Sequence, residues 1–283
     1  MKVSYYPGCS LHGTAKEYDQ SVKAVSKALD IELKEVQDWS CCGATSAHAT
    51  NFKLSVALPA RNLVAIEKSA DKEVMVPCAA CFNRFKTAQH NMAHDASLKK
   101  EIEGILGSSY AGTAVVKNPI GIIHDDVGLD VLAKKVVKKL AGLKPVSYYG
   151  CLLVRPPEAC EFENVENPYM LDDILRTLGA DVKPWSYKTD CCGGSLTISR
   201  TDIVHKLVDK LMTMAREAGA NCVVTACPVC LTNLDARVSE NLQLPVFYFT
   251  ELVALALGLP GASDWFKLHM VDPTPLMGGL GLI

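Results

Sequence analysis

The sequence has no excess of either charge: among 283 residues, Lys and Arg number 29 and Asp and Glu 31. That balance gives no reason to expect nucleic acid or a charged membrane surface as partner. No apolar run is long enough to span a bilayer. The longest near the end, "LVALALGLP" at Leu252–Pro260, falls far short of the roughly 20 residues a spanning helix needs. The opening "MKVSYYPGCS" lacks a charged-then-apolar leader and reaches a cysteine at once, so a cytoplasmic protein is expected. A Gly-rich dinucleotide fingerprint is absent too, and neither flavin nor NAD is expected in this chain. Hydrophobic residues at 49% and charged residues at 21% supply a packed core.

Cysteine, by contrast, is plentiful: there are 12. In a reducing compartment, clustered cysteines read as metal ligands or redox groups rather than as a disulfide framework. Two of the clusters are adjacent pairs followed by glycine, "SCCGA" at Ser40–Ala44 and "DCCGG" at Asp190–Gly194. Neighbouring cysteines do not readily bond to each other, because a disulfide needs a particular separation and torsion.

The spacings repeat. Thirty-one residues separate Cys9 from Cys41, 35 separate Cys42 from Cys78, and two separate Cys78 from Cys81. The second series, Cys151, Cys191, Cys192, Cys227 and Cys230, has gaps of 39, 34 and two. "SYYPGC" ending at Cys9 matches "SYYGC" ending at Cys151, Trp39 and Trp185 precede the pairs, and "EVMVPCAAC" parallels "CVVTACPVC". This is an internal duplication, with a junction in "AGLKPVS" at Ala141–Ser147. Domains at 1–145 and 146–283 follow, the second with a C-terminal tail. "HMVDPTPLMGGLGLI" is too irregular to predict as a helix, and suits packing on a partner or on its own domain.

Each half reads as alternating strands and helices. "KVSYY" and "PVSYY" predict strands delivering Cys9 and Cys151, and "AKEYDQSVKAVSKALD" and "YMLDDILRTLGA" have helical apolar spacing. Short strands are expected near Ile31–Val36 and Val182–Trp185. "EVMVP" and "CVVTA" predict buried strands running into a CxxC that opens a helix. The fold class is therefore α/β: two similar Rossmann-like domains with mainly parallel sheets. The repeated cysteines are expected at strand ends or loops, where open α/β sheets bind ligands. Gly43, Gly193 and Gly194 are expected to turn tightly there.

Five thiols per half exceed the four that a structural zinc or a cubane [4Fe–4S] centre takes. The surplus suits a multi-iron centre with bridging thiolates, while zinc in one half remains open. Cys222 and Cys160 lie outside the repeat and read as buried, inert residues.

The doubled pattern, with "YYPGC" and "CCGG", resembles the cysteine-rich CCG domain family over essentially the whole chain, and most closely the B subunits of heterodisulfide reductases. That resemblance implies two noncubane [4Fe–4S] clusters, one held by Cys9, Cys41, Cys42, Cys78 and Cys81 and one by Cys151, Cys191, Cys192, Cys227 and Cys230. It implies a catalytic subunit that reduces a disulfide to two thiols. In methanogens the substrate is the coenzyme M–coenzyme B heterodisulfide, and electrons come through a ferredoxin-like C subunit from a flavin-containing A subunit. Disulfide cleavage takes two electrons, so two one-electron centres flanking one cleft would each deliver one. Methanogen members commonly place a histidine after the first cysteine of the second half, where this chain has Leu152; another small-molecule disulfide is therefore an equal expectation. An electron-relay subunit of a dehydrogenase-type complex is the alternative. Relatives of that kind usually add ferredoxin-type CxxCxxCxxxCP motifs, which this sequence lacks.

Among candidate cations for an anionic substrate, Arg155 ranks first, with Arg84 and Lys188 beside it; Arg200 and Lys86 are also near cysteine motifs. His12, His48 and His124 are candidate proton donors. His90 and His94 have the i,i+4 spacing of a metal pair but no third ligand nearby, and read as exposed.

Overall fold

The computed structural model describes residues 1–44, 47–162 and 164–283. The first half runs β1 (Lys2–Tyr5), α1 (Gly8–His12), α2 (Lys16–Ala28), β2 (Glu32–Glu35), α3 (Ala47–Thr50) and α4 (Phe52–Glu67). It continues through β3 (Glu73–Met75), α5 (Ala79–His94), α6 (Ala96–Leu106) and β4 (Val115–Lys117). It closes with α7 (Pro119–Gly121), a π-helical turn at Ile122–Gly128 and α8 (Leu129–Lys135). The second half comprises β5 (Pro145–Tyr148), α9 (Pro157–Cys160), α10 (Met170–Thr177), α11 (Thr201–Glu217), β6 (Cys222–Thr225) and α12 (Pro228–Ala236). Then come β7 (Val246–Tyr248), α13 (Phe249–Ala256) and α14 (Thr274–Gly279). The junction expected between 145 and 146 falls at the first residue of β5.

Both sheets are wholly parallel. The first has strand order β2-β1-β3-β4 and the second β5-β6-β7. Every residue of β5 and β6 is buried, as parallel strands covered on both faces require.

The second sheet lacks a counterpart of β2. The strand expected at Val182–Trp185 does not form. Its chain runs beside β5 and starts to pair, with Asp181 N–H donating to Leu143 O at 2.9 Å and Lys183 N–H to Pro145 O at 2.8 Å. Pro184 then has no N–H with which to continue the ladder.

The halves exchange helices. On α2, Tyr18, Ser21, Val22 and Val25 form a buried stripe at i, i+3, i+4 and i+7. This helix packs on α13 of the other half, while α10 packs on α8 and the π-helical turn. Tyr18 stacks on Tyr248, ring centroids 4.1 Å apart and planes within 4°, and the Ser21 and Thr250 hydroxyls meet at 2.7 Å. The C-terminal stretch forms α14 and packs on its own chain, with Met277 and Leu282 buried.

Candidate functional site

The three cysteine segments of each half gather at the carboxyl ends of its strands. Cys9, expected at a strand end or loop, proves to be helical, while the CxxC segments open helices as expected. Cys9 lies in the first turn of α1, whereas Cys81 and Cys230 lie in the first turns of α5 and α12, which Cys78 and Cys227 cap. The N-terminal ends of these two longer helices favour negative charge on nearby sulfur.

Glycines let the segments approach. Gly8 (φ 68°) and Gly150 (φ 65°) join β1 and β5 to their cysteines. A Cβ on Gly8 would stand 3.2 Å from Cys81 Sγ, and one on Gly150 would stand 3.0 Å from Cys230 Sγ. Gly43 and Gly193 also have left-handed φ, 75° and 77°. Their N–H groups donate to Cys41 Sγ at 3.4 Å and Cys191 Sγ at 3.3 Å, so each turn presents a backbone donor to sulfur.

All twelve cysteines are free. Cys42 Sγ lies 3.1 Å from Cys81 Sγ, and Cys192 Sγ lies 3.6 Å from Cys230 Sγ. The Cys78 and Cys227 thiols come close enough across the two halves to shift each other's ionisation, raising Cys78 and lowering Cys227. The two sets therefore approach each other at Cys78 and Cys227. Among the described residues no three His, Cys, Asp or Glu side chains close around a single ion. An all-sulfur donor set, glycines in place of Cβ atoms and N–H groups aimed at sulfur together fit an iron–sulfur group.

Thiol–thiol bonds polarise these pairs. Hydrogen bonds from Cys41 and Cys81, with the Ala44 N–H, hold Cys42 down to about 4. A bond from Cys151, helped by the Gly193 and Gly194 N–H groups, holds Cys191 down to about 6. Burial and neighbouring sulfur raise Tyr6 and Tyr148, which remain donors: Tyr6 to Ser40 O at 2.7 Å and Tyr148 to Asp190 O at 2.6 Å. These carbonyls precede the two cysteine pairs, so Tyr6 is the structural counterpart of Tyr148.

A cavity of about 140 Å³ opens beside the second set, touching Cys151, Cys191, Cys192, Cys227 and Cys230. The rest of its wall is shared by both halves, with Ala79, Ala80, Arg84 and His48 from the first and Tyr149, Leu152 and Val229 from the second. Arg84 is half-buried, bonds to Asn83 Oδ1 at 2.5 Å, and has no carboxylate partner among the described residues. Burial lowers its pKa, and Cys42 and Cys160 oppose that shift.

The other cation candidates are engaged elsewhere. Arg155 is exposed and forms both its bonds, 2.7 and 2.8 Å, with Glu166. Lys188 is buried against Asp172 at 3.0 Å and Pro168 O at 2.8 Å, which makes it part of the core. Lys86 pairs with Glu161, and Arg200 with Asp202. Of the histidines, His12 packs edge-on to Trp39 near Glu35, and His124 bridges Asp125 and Asp173. His90 and His94 stack on each other. Among the described histidines, only His48 lines the cavity.

Three supports escape sequence reasoning. The Tyr18 hydroxyl donates to Ala226 O at 3.0 Å and lies 3.4 Å from Pro77 O, the carbonyls just before the two CxxC turns. Asn233 Nδ2 donates to Cys192 O at 3.0 Å. Asn83 Nδ2 reaches across the halves to Leu152 O at 3.1 Å and to Cys160 Sγ at 3.5 Å, so Cys160 is buried at the interface. A buried asparagine two or three residues after each CxxC is the one available signal.

Comparison with known proteins agrees with the duplication. A family model described as "Cysteine-rich domain" (CCG) matches residues 3–86 and again 146–235. The 8-methylmenaquinol:fumarate reductase membrane anchor subunit of Wolinella succinogenes is 31% identical, over 97% of this chain and 99% of that protein. The B subunit of the ferredoxin/F420H2-dependent CoB-CoM heterodisulfide reductase of Methanosarcina acetivorans is 25% identical, over 91% and 89%. A protein of Archaeoglobus profundus described as like the heterodisulfide reductase B subunit is 26% identical, over 91% of each. A hypothetical protein from Helicobacter pylori shares the fold, with a TM-score of 0.74 at 8% identity, covering 95% of this chain and 51% of that one.

Proposed function

Because the chain belongs to the cysteine-rich CCG domain family, with the B subunits of heterodisulfide reductases among its relatives, we propose that it is the disulfide-reducing iron–sulfur subunit of an oxidoreductase complex. Residues 1–145 and 146–283 are its two domains. Cys9, Cys41, Cys42, Cys78 and Cys81 hold one noncubane [4Fe–4S] cluster, and Cys151, Cys191, Cys192, Cys227 and Cys230 hold the second. When bound, these groups supply single electrons beside sulfur.

The observation that carries this reading is a cavity that touches all five cysteines of the second set and is lined by residues of both halves, with Cys78 of the first set coming close to Cys227 of the second. Reducing a disulfide to two thiols consumes two electrons and two protons, and sites fed by two adjacent thiol sets suit that count. In this reading Arg84 binds an anionic group of the substrate, and His48 holds a proton at the cavity wall. The apolar wall at Ala79, Ala80 and Leu152 excludes water from the sulfur atoms. Electrons come from separate ferredoxin-like and flavin-containing subunits. The substrate is the coenzyme M–coenzyme B heterodisulfide or another small disulfide, and the complex works in the cytoplasm.

Anaerobic purification followed by iron, zinc and sulfide analysis tests the cofactors. About eight iron and eight sulfide per chain are expected. Four iron with one zinc would leave one half without electrons and sink the two-centre reading.

The fumarate reductase relative favours a second reading, a relay subunit of a dehydrogenase-type complex without a substrate of its own. Under that reading the iron content is unchanged, the assembled complex passes electrons, and disulfides are not turned over. No helix among the described residues is long and apolar enough to cross a membrane.

A further inference from the structure

The even total of charges conceals an uneven distribution. From Val131 to Pro157 the chain contains no Asp or Glu, while Lys134, Lys135, Lys138, Lys139 and Lys144 fall within its first part. Leu132, Leu140 and Leu143 are fully buried and anchor this stretch. Two further bonds pin it, Val137 and Lys138 N–H both donating to Ala256 O at 2.9 and 3.0 Å. With the leucines inward, the lysines point outward from a fixed backbone.

Lys135 pairs with Asp30 at 2.7 Å; among the described residues the other four have no carboxylate partner. Two apolar side chains stand among them, Val137 at 75% and Val131 at 42% exposure. Lys134 and Lys135, in the last turn of α8, also suit its negative end. That effect does not reach Lys138, Lys139 or Lys144, which lie beyond the helix.

We propose that this face docks the protein on an anionic lipid surface. Clustered lysines with a protruding apolar side chain match the charge and the shallow apolar layer of such a surface. A protein partner fits less well, since lysine is depleted at protein interfaces and arginine enriched. The face precedes β5, whereas Cys151 follows it, so a docked protein keeps its cysteine cleft turned away from the lipid. This inference is independent of the proposed chemistry.

Cosedimentation of the full chain with vesicles tests it. Vesicles containing phosphatidylglycerol should bind the protein at low salt and release it at high salt, and pure phosphatidylcholine vesicles should not bind it. The triple variant Lys134→Glu, Lys138→Glu, Lys139→Glu should lower partition on the order of a hundredfold. A variant of equal net charge, Lys16→Glu, Lys100→Glu, Lys206→Glu, should keep most of it. Absence of binding to the anionic vesicles, or equal loss in both variants, overturns the proposal.

Discussion

The two halves carry the same five thiols yet differ in three ways. The first sheet has four strands and the second three. Cys9 is exposed whereas its second-half counterpart Cys151 is partly buried, although Cys41 and Cys191 are both exposed. The cavity, finally, touches every cysteine of the second set and none of the first. Duplication therefore preserved the donors and turns, which geometry constrains tightly, while the surroundings diverged. The second set has open space beside it, and the first half supplies part of the wall of that space.

Removing a donor from either half tests whether both are needed and should have the largest effect. Cys42→Ser and Cys192→Ser are each expected to lower iron by about half and to abolish disulfide reduction, measured by metal analysis and turnover. Full turnover in either variant would break the functional symmetry of the halves.

The cations come next. Arg84→Gln is expected to raise KM for an anionic disulfide by about ten- to a hundredfold, the worth of a charged hydrogen bond. Arg155→Gln, which breaks an exposed pair, should change KM less than about twofold. The reverse ranking would move the substrate away from the wall built by the first half.

A second-half ion pair offers a pH test. Burial lowers the pKa of His269, and the Glu251 carboxylate at 3.0 Å, with Asp235 and Glu17, outweighs this and raises it to about 8. A raised folded-state value contributes stability that is fully present below about pH 6.5 and is lost as pH rises through 8. The contribution is about 2 kcal/mol, and His269→Gln should flatten this part of the profile in denaturant titrations between pH 6 and 9.

Substituting Gly8 or Gly150 with Ala strains a left-handed residue by about 1–2 kcal/mol. The Gly150 variant is expected to lose more iron, because its Cβ would come closer to sulfur. Equal losses would mean that backbone strain, not contact with sulfur, dominates. The smallest effect is expected at the link between the halves. Tyr18→Phe keeps the stacking on Tyr248 and removes the hydroxyl near the two CxxC carbonyls, costing about 1 kcal/mol in unfolding measurements.

Much of this was legible in order along the chain. Alternation of strand and helix follows from local periodicity, as in the buried stripe of α2. Glycine after each cysteine pair marked a left-handed turn, and CxxC marked a helix start. Apolar pattern alone did not reveal that Val182–Trp185 stays irregular, because Pro184 removes a ladder donor whose use depends on a neighbouring strand. Nor did spacing distinguish Arg84 from Lys188: both lie near cysteine motifs, but only Lys188 is folded against Asp172.

The sequence by itself determined the inventory: ten thiols in two matching sets, each on strand–turn–helix units that short-range chemistry specifies. Only the tertiary structure decided that Cys78 comes close to Cys227, that Tyr18 reaches Ala226, and that both halves line one cavity. Those contacts join residues about 150 to 210 positions apart and depend on helices exchanged between the halves. Packing of that range is set by the summed burial of whole elements, which local spacing does not encode.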